Sequence, residues 1–205
     1  MADHLEIEQK FDVEAGFTLP DLSAVPGCQA VSAPVTHHLS ATYYDTEGNR
    51  LAASKITLRR RTGGTDEGWH LKLPSEMVQA GAQSRREIHA PLAAGQEGQV
   101  PARLADLVSG ITAGLPLGPI ASLVTRRTVR TLLGGASDIL AEVADDQVTA
   151  RREGSADEPL RWREVEVEVP EGTPPEVLAA AAELLLAAGA RPGSKGSKLA
   201  RVLDS

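Results

Sequence analysis

Aromatic side chains are scarce: the chain holds two each of Phe, Tyr and Trp. The core must therefore be built from Ala, Val, Leu and Ile, and there is little sign of an aromatic pocket for a nucleobase. A single cysteine, Cys28, excludes an intramolecular disulfide; it lies beside Pro26 and Gly27 with no catalytic partner in its neighbourhood. No apolar run reaches membrane-spanning length and no charged-then-apolar leader is present, so a cytoplasmic location without membrane association is expected. Positive charge is also in deficit, with 21 Lys and Arg against 28 Asp and Glu, a net charge of −7. That balance argues against nucleic acid or an anionic membrane as partner, because neither meets a broad basic footprint. Any anion bound here must be met by a local cluster.

What is present is alternation. With 41% hydrophobic and 24% charged residues in 205, the chain reads as one soluble domain spanning 1–205. Period-two patterning marks strands near 4–13, 35–45, 54–62, 68–73, 83–91, 122–133, 137–148 and 161–169. Turn-like DTEGNR (45–50), TGGTDEG (62–68) and LGGASD (133–138) separate them. Eight strands is about the number that closes a barrel. Helix is expected over PPEVLAAAAELLLAAGA (174–190), with shorter turns near 101–109 and 17–27, while the Gly- and Pro-rich 92–120 wraps the outside. The expected class is α+β, mainly β: a closed eight-stranded antiparallel barrel with helices packed outside.

The polar faces of these strands carry formal charge. HLEIEQKFDV (4–13) puts Glu6, Glu8 and Lys10 on one face and Leu5 and Ile7 on the other. KITLRRRT aligns Lys55, Thr57, Arg59 and Arg61; WHLKLP pairs His70 with Lys72; SRREIHA aligns Arg85, Glu87 and His89. RWREVEVEVP lines up Glu164, Glu166 and Glu168, and ILAEVADDQV gives Glu142 and Asp146 one parity and Asp145 the other. Any one such strand is what a sheet with one face in water looks like. Repeated formal charge on at least five strands points instead to an interior where carboxylates face guanidinium and ammonium groups. Carboxylates suit Mg²⁺ or Mn²⁺, and arginines suit phosphate. Together they describe a site for a metal complex of a polyphosphate, with phosphoryl or nucleotidyl transfer as its chemistry. His37 and His38 are adjacent on a strand and face opposite ways, which excludes joint ligation; Tyr43 and Tyr44 read as packing residues. TGGTDEG lacks the Lys-Ser/Thr ending and strand-to-helix setting of a P-loop.

The run Glu6-x-Glu8-x-Lys10 resembles the hallmark of the CYTH family, the triphosphate tunnel metalloenzymes. The resemblance continues in order through TYYDT (42–46), LRRR (58–61), LKL (71–73), SRREI (84–88), TRR (125–127), LAEVADDQV (140–148), EVEVEV (164–169) and GSKLAR (196–201). It implies an eight-stranded tunnel acting on triphosphates with a divalent metal. Carried over residue by residue, Glu6, Glu8, Glu142, Asp146, Glu166 and Glu168 are the implied metal ligands. Lys10, Arg59, Arg61, Lys72, Arg85, Arg127 and Lys198 are the implied phosphate contacts. Glu87 and Glu164 line the tunnel, with Arg85 and Glu87 expected to pair. Water activation falls to a second metal or to Lys10, and Glu6, Glu8 and Lys10 form the implied catalytic group. Some members carry Lys-x-Arg where this chain has Thr125-Arg126-Arg127, which bears on substrate preference. The leading expectation is hydrolysis of inorganic tripolyphosphate by a monomer or homodimer. Thiamine triphosphate hydrolysis, cyclic AMP formation and polyphosphate binding without catalysis are the alternatives.

Overall fold

Alternating strands joined by short glycine-bearing turns favour antiparallel neighbours. The computed structural model, which describes residues 2–75 and 82–205, has that order. Its strands are β1 (Ala2–Val13), β2 (Ala30–Val31), β3 (Val35–Asp45), β4 (Thr57–Thr62), β5 (Gly68–Pro74), β6 (Gln83–Ala90), β7 (Gly118–Leu133), β8 (Ile139–Arg152), β9 (Leu160–Val169) and β10 (Arg191–Pro192). The pairing order is β10-β1-β6-β5-β4-β3-β7-β8-β9, and β9 returns to β1. The eight long strands thus close a barrel, with β2 and β10 as two-residue additions to β7 and β1. β1 is the seam: its first half pairs with β6 and its second half with β9.

The boundaries depart from expectation in three places. β7 starts four residues earlier than the expected 122, and β8 runs 139–152 rather than 137–148. The later start of β8 follows from the turn before it, where Ala136 and Ser137 sit at positive φ and cannot belong to a strand. Residues 17–27 form turns and no helix. The segment near 101–109 splits into α2 (Ala102–Leu107) and α3 (Ser109–Thr112), following the brief α1 (Arg50–Ala53).

Outward-facing apolar residues are covered in two places. α4 (Pro175–Ala187) lays Val177, Leu178, Ala181 and Leu185 over Val143, Val165 and Val167. On the opposite wall, α1–α3 cover Leu58, Trp69 and Leu71 with Leu51, Leu104 and Val108. A further short helix, α5 (Lys198–Leu203), lies in a segment where no helix was expected. Its Leu199 and Val202 cluster with the inward-facing Ala41, Tyr43, Ala121, Leu123, Val148 and Ala150, so this helix fills one end of the barrel.

Candidate active site

The unfilled part of the barrel is a cavity of about 400 Å³, lined among others by Glu6, Lys10, Tyr43, Arg59, Arg61, His70, Lys72, Arg85, Glu87, Arg127, Glu142, Glu166, Glu168 and Lys198. Strand alternation delivers all of these side chains but Lys198: each sits at an inward position of a strand whose other face lies under a helix or in water, while Lys198 enters from the first turn of α5. The sequence-expected residues therefore converge, but they sort into three groups with different charge balance.

The first group is ionically complete. Asp146, Glu164 and Glu166 offer carboxylate oxygens within 4.8 Å of one another. Lys198 Nζ stands between them, 2.8 Å from Asp146 and 2.7 Å from each of Glu164 and Glu166. Arg127 adds a two-pronged contact to Asp146, at 2.8 and 2.6 Å, and reaches Glu166 at 2.5 Å. Lys10 pairs with Glu166 and, at 2.6 Å, with Glu8. Burial opposes charge on Asp146 and Glu166, yet the surrounding cations outweigh it and hold both below the usual carboxylate range. Asp146 thus joins Glu164 and Glu166 across the strands rather than forming a set with Glu142, which shares its parity but is exposed. Asp145 faces outward and holds Arg163 at 2.8 and 2.7 Å.

The second group has carboxylate in surplus. Glu8 lies opposite Glu168 in the β1–β9 register, and Glu142 lies opposite Glu168 from β8. Glu6 pairs with Lys72, and Glu8 with Lys10 and Arg85. Burial would raise Glu8, but Lys10, Arg85 and Lys72 overcome it and hold it near 2. Glu168 is different: burial, joined by repulsion from Glu6, Glu8 and Glu166, pushes it up to about 7. Glu6 Oε2 is buried with no hydrogen-bond partner. A buried carboxylate oxygen with no hydrogen-bond donor is what a hard divalent cation fits. Among the described residues only the Asp146 group holds three carboxylate oxygens within 4.8 Å of one another, and Lys198 already fills it; Glu6, Glu8 and Glu168 are the acids left that would have to draw together around a divalent cation.

The third group is the basic wall on β4, β5 and β6. Arg59 and Arg61 face inward, and the Nε atoms of Arg59, Arg61 and Arg85 are buried without partners, leaving donors open for an anion. Burial, with Arg59 and Arg127 nearby, pushes Arg61 down to about 9, still charged at neutral pH. The expected Arg85–Glu87 pair does not form: Arg85 reaches across the seam to Glu8, while Glu87 takes His70 at 2.5 Å and Lys72 at 3.3 Å.

Other residues joined the site without being expected there. Tyr43 is buried against the cavity, its hydroxyl accepting from Arg59 at 3.4 Å; burial would raise its pKa, but Arg59, Lys198 and Lys72 bring it below the usual phenol value. Tyr44 does pack, 5.2 Å from the Trp69 ring. The β4–β5 hairpin tip folds over the opening, where the Asp66 carboxylate pairs with Arg61. Gly63 permits that path: its φ is +79°, and a Cβ there would meet the His38 carbonyl oxygen at 2.2 Å. Asp45 of TYYDT is structural, its carboxylate accepting from the backbone N–H of Thr46, Leu51 and Ala52 at 2.7, 2.9 and 2.9 Å.

Comparison with known proteins agrees with this fold. The CYTH domain profile matches residues 4–203. Uncharacterized protein Rv2226 of Mycobacterium tuberculosis strain H37Rv is 43% identical over 216 aligned residues covering all of this chain. The same figures hold for MT2285 of strain CDC 1551, and the chain spans 41% of the length of these relatives. Among solved structures, bh2851 from Bacillus halodurans superimposes with a TM-score of 0.59 at 18% identity, covering 98% of both chains. The "putative adenylyl cyclase HpAC1" from Hippeastrum, described as revealing a dominant triphosphatase activity, gives 0.57 at 19% identity, covering 97% of this chain and 95% of its own. At those identities the likeness is one of fold.

Proposed function

The chain belongs to the CYTH domain family, and from that premise we propose that it hydrolyses a triphosphate with a divalent metal, inorganic tripolyphosphate being the leading substrate. The observation that carries this reading is the division of the cavity wall: carboxylates at Glu6 and Glu168, the latter pushed up to about 7 by burial and like charge, stand across from Arg59 and Arg61, whose Nε donors have no partner. A metal triphosphate presents the matching charges, cation on one side and phosphate oxygens on the other.

Mg²⁺ or Mn²⁺ held by Glu6, Glu8 and Glu168 would supply Lewis-acid neutralisation and a bound water of lowered pKa. The chain's own residues do the rest. Arg59, Arg61, Lys72 and Arg85 bind and orient the phosphates, which is where most phosphoryl-transfer catalysis resides. Lys10 stays an ammonium: burial lowers its pKa, but Glu166 and Glu8 raise it further, above the ordinary lysine value. It therefore serves as a phosphate contact and is not poised as the base that takes a proton from water. α5 closes one end of the barrel and limits bulk-water access to the bound anion from that side.

The test is a substrate panel of tripolyphosphate, thiamine triphosphate, ATP and long-chain polyphosphate, each with Mg²⁺ or Mn²⁺, reading phosphate and cyclic AMP together. Metal-dependent phosphate release from tripolyphosphate, reduced at least about a hundredfold in Glu8→Gln, is expected. Cyclic AMP as the main product would replace the hydrolase with a cyclase. Tight binding without turnover, unchanged in Glu6→Gln and Glu8→Gln, would leave a polyphosphate-binding module.

A further inference from the structure

Lys72 is one of the basic groups that the proposed reaction needs, yet it stands between two carboxylates, Glu6 and Glu87. A lysine fully neutralised by both would attract phosphate poorly. What limits Glu87 is His70. This residue is 2% exposed and sits on β5, opposite Arg59 of β4 and His89 of β6. Its Nδ1 is 2.5 Å from Glu87 Oε1, and its Nε2 is 2.9 Å from the carbonyl oxygen of Asp66. Glu87 is thus turned so that only Oε2 is left toward Lys72, at 3.3 Å, with the half-exposed His4 at 3.7 Å.

Both neighbours of the His70 ring are acceptors, whereas a neutral imidazole carries one N–H. Burial, together with Arg59 and Arg61, pushes the ring down to about 3 despite Glu87, so it is neutral near pH 7. The single proton belongs on Nδ1, where the acceptor is a carboxylate and the bond is charge-assisted. The Asp66 carbonyl, which can only accept, then faces the lone pair of Nε2 at 2.9 Å, an unfavourable contact that the pairing of the Asp66 carboxylate with Arg61 must offset. The hairpin tip is therefore held chiefly from the Arg61 side.

We propose that His70, as the Nδ1–H tautomer, is a positioning residue of the basic wall: it occupies one oxygen of Glu87, limits that carboxylate to a single contact with Lys72, and so leaves the ammonium a donor for the triphosphate. The inference rests on the triphosphate reading of this cavity. It assigns His70 no contact with the reacting atoms; its effect reaches the substrate through Glu87 and Lys72.

The test has a substrate-free arm and a substrate arm. Long-range ¹H–¹⁵N spectra of the imidazole in the metal-free chain should show Nδ1 protonated and Nε2 unprotonated. Calorimetry with tripolyphosphate in excess EDTA, and steady-state kinetics with Mg²⁺, then compare three variants. His70→Ala should weaken metal-free binding and raise KM roughly tenfold, the value of one charge-assisted hydrogen bond, with kcat changed less than about threefold. His70→Asn places an amide N–H near the Nδ1 position and should recover most of the loss. His70→Gln, which extends toward the Nε2 position, should not. An Nε2–H tautomer, rescue by Gln but not Asn, or equal binding by all three folded variants would overturn the proposal. Should His70→Ala not fold, the Asn and Gln pair still decides it. If wild-type chain binds and hydrolyses no triphosphate, the functional reading fails, and the tautomer together with the Lys72 Nζ resonance in His70→Gln still tests the positioning: an unmoved resonance rejects it.

Discussion

Glu168 shows how much one buried carboxyl can report. Its folded pKa of about 7 exceeds the ordinary 4.5 because burial and the facing Glu6, Glu8 and Glu166 disfavour its charge. Between those two values the folded chain holds a proton that the unfolded chain has released, so this group's contribution to stability declines as pH rises and levels off above about 7. The full swing is on the order of 3 kcal/mol. Glu168→Gln removes the titration, so in EDTA it is expected to raise Tm at pH 8 by several degrees and to change it little near pH 5. Adding Mg²⁺ should stabilise the wild type more than this variant. A Tm difference independent of pH would show that Glu168 is not the strained member of the group. Its neighbours in the site were readable one by one, because formal charge at inward parity is conspicuous in EVEVEV and LRRR. Tyr43 and His70 were not. A tyrosine at an inward position looks like core until the facing strand is known, and His70 is placed on the polar face with Lys72 but without a partner; only closure brings Arg59 to Tyr43 and Glu87 to His70.

The elements divide the same way between what their own sequence dictates and what their surroundings dictate. Long alternating strands and the Ala- and Leu-rich α4 carry their periodicity with them, and they form close to where the pattern places them. α5 does not. GSKGSK reads as a flexible basic tail, and a six-residue helix has no stability of its own. Its existence depends on the Ser197 hydroxyl accepting from Ala200 N–H at 3.1 Å, on Lys198 among three carboxylates, and on Leu199 and Val202 in the barrel end. Leu199 is 1% exposed. Truncating it to Ala is expected to cost about 2–5 kcal/mol, the range for a buried leucine, and to lower Tm by roughly 5–15 °C. Leu203, only partly buried in the same helix, should cost far less when truncated. Equal small losses at both positions would mean that α5 rests on the barrel end without filling it.

At the scale of the whole molecule, charge works in two opposed directions. The chain carries a net −7, which repels a polyanion at a distance, while the cavity wall gathers arginines and lysines that attract it close up. Which effect governs approach is set by the screening length. Consider exposed acids such as Glu158, Glu171 and Glu183, taken as about 25 Å from the cavity, beyond the radius of gyration of about 17 Å expected of a chain this size. In water each opposes a substrate of about four negative charges by roughly 0.7 kcal/mol unscreened. At 10 mM salt, where the Debye length is about 30 Å, some 0.3 kcal/mol of that survives; at 150 mM, where it is about 8 Å, almost none does. The inward-facing cations lie within a Debye length of bound phosphate in either buffer. Replacing the three acids with Gln is therefore expected to raise kcat/KM for tripolyphosphate roughly fourfold at 10 mM salt. At 150 mM it should leave kcat/KM unchanged, with kcat the same in both. An equal gain at the two salt concentrations would place these acids against the substrate itself, and no gain at either would mean that the cavity's own field screens the rest of the surface from the approaching anion.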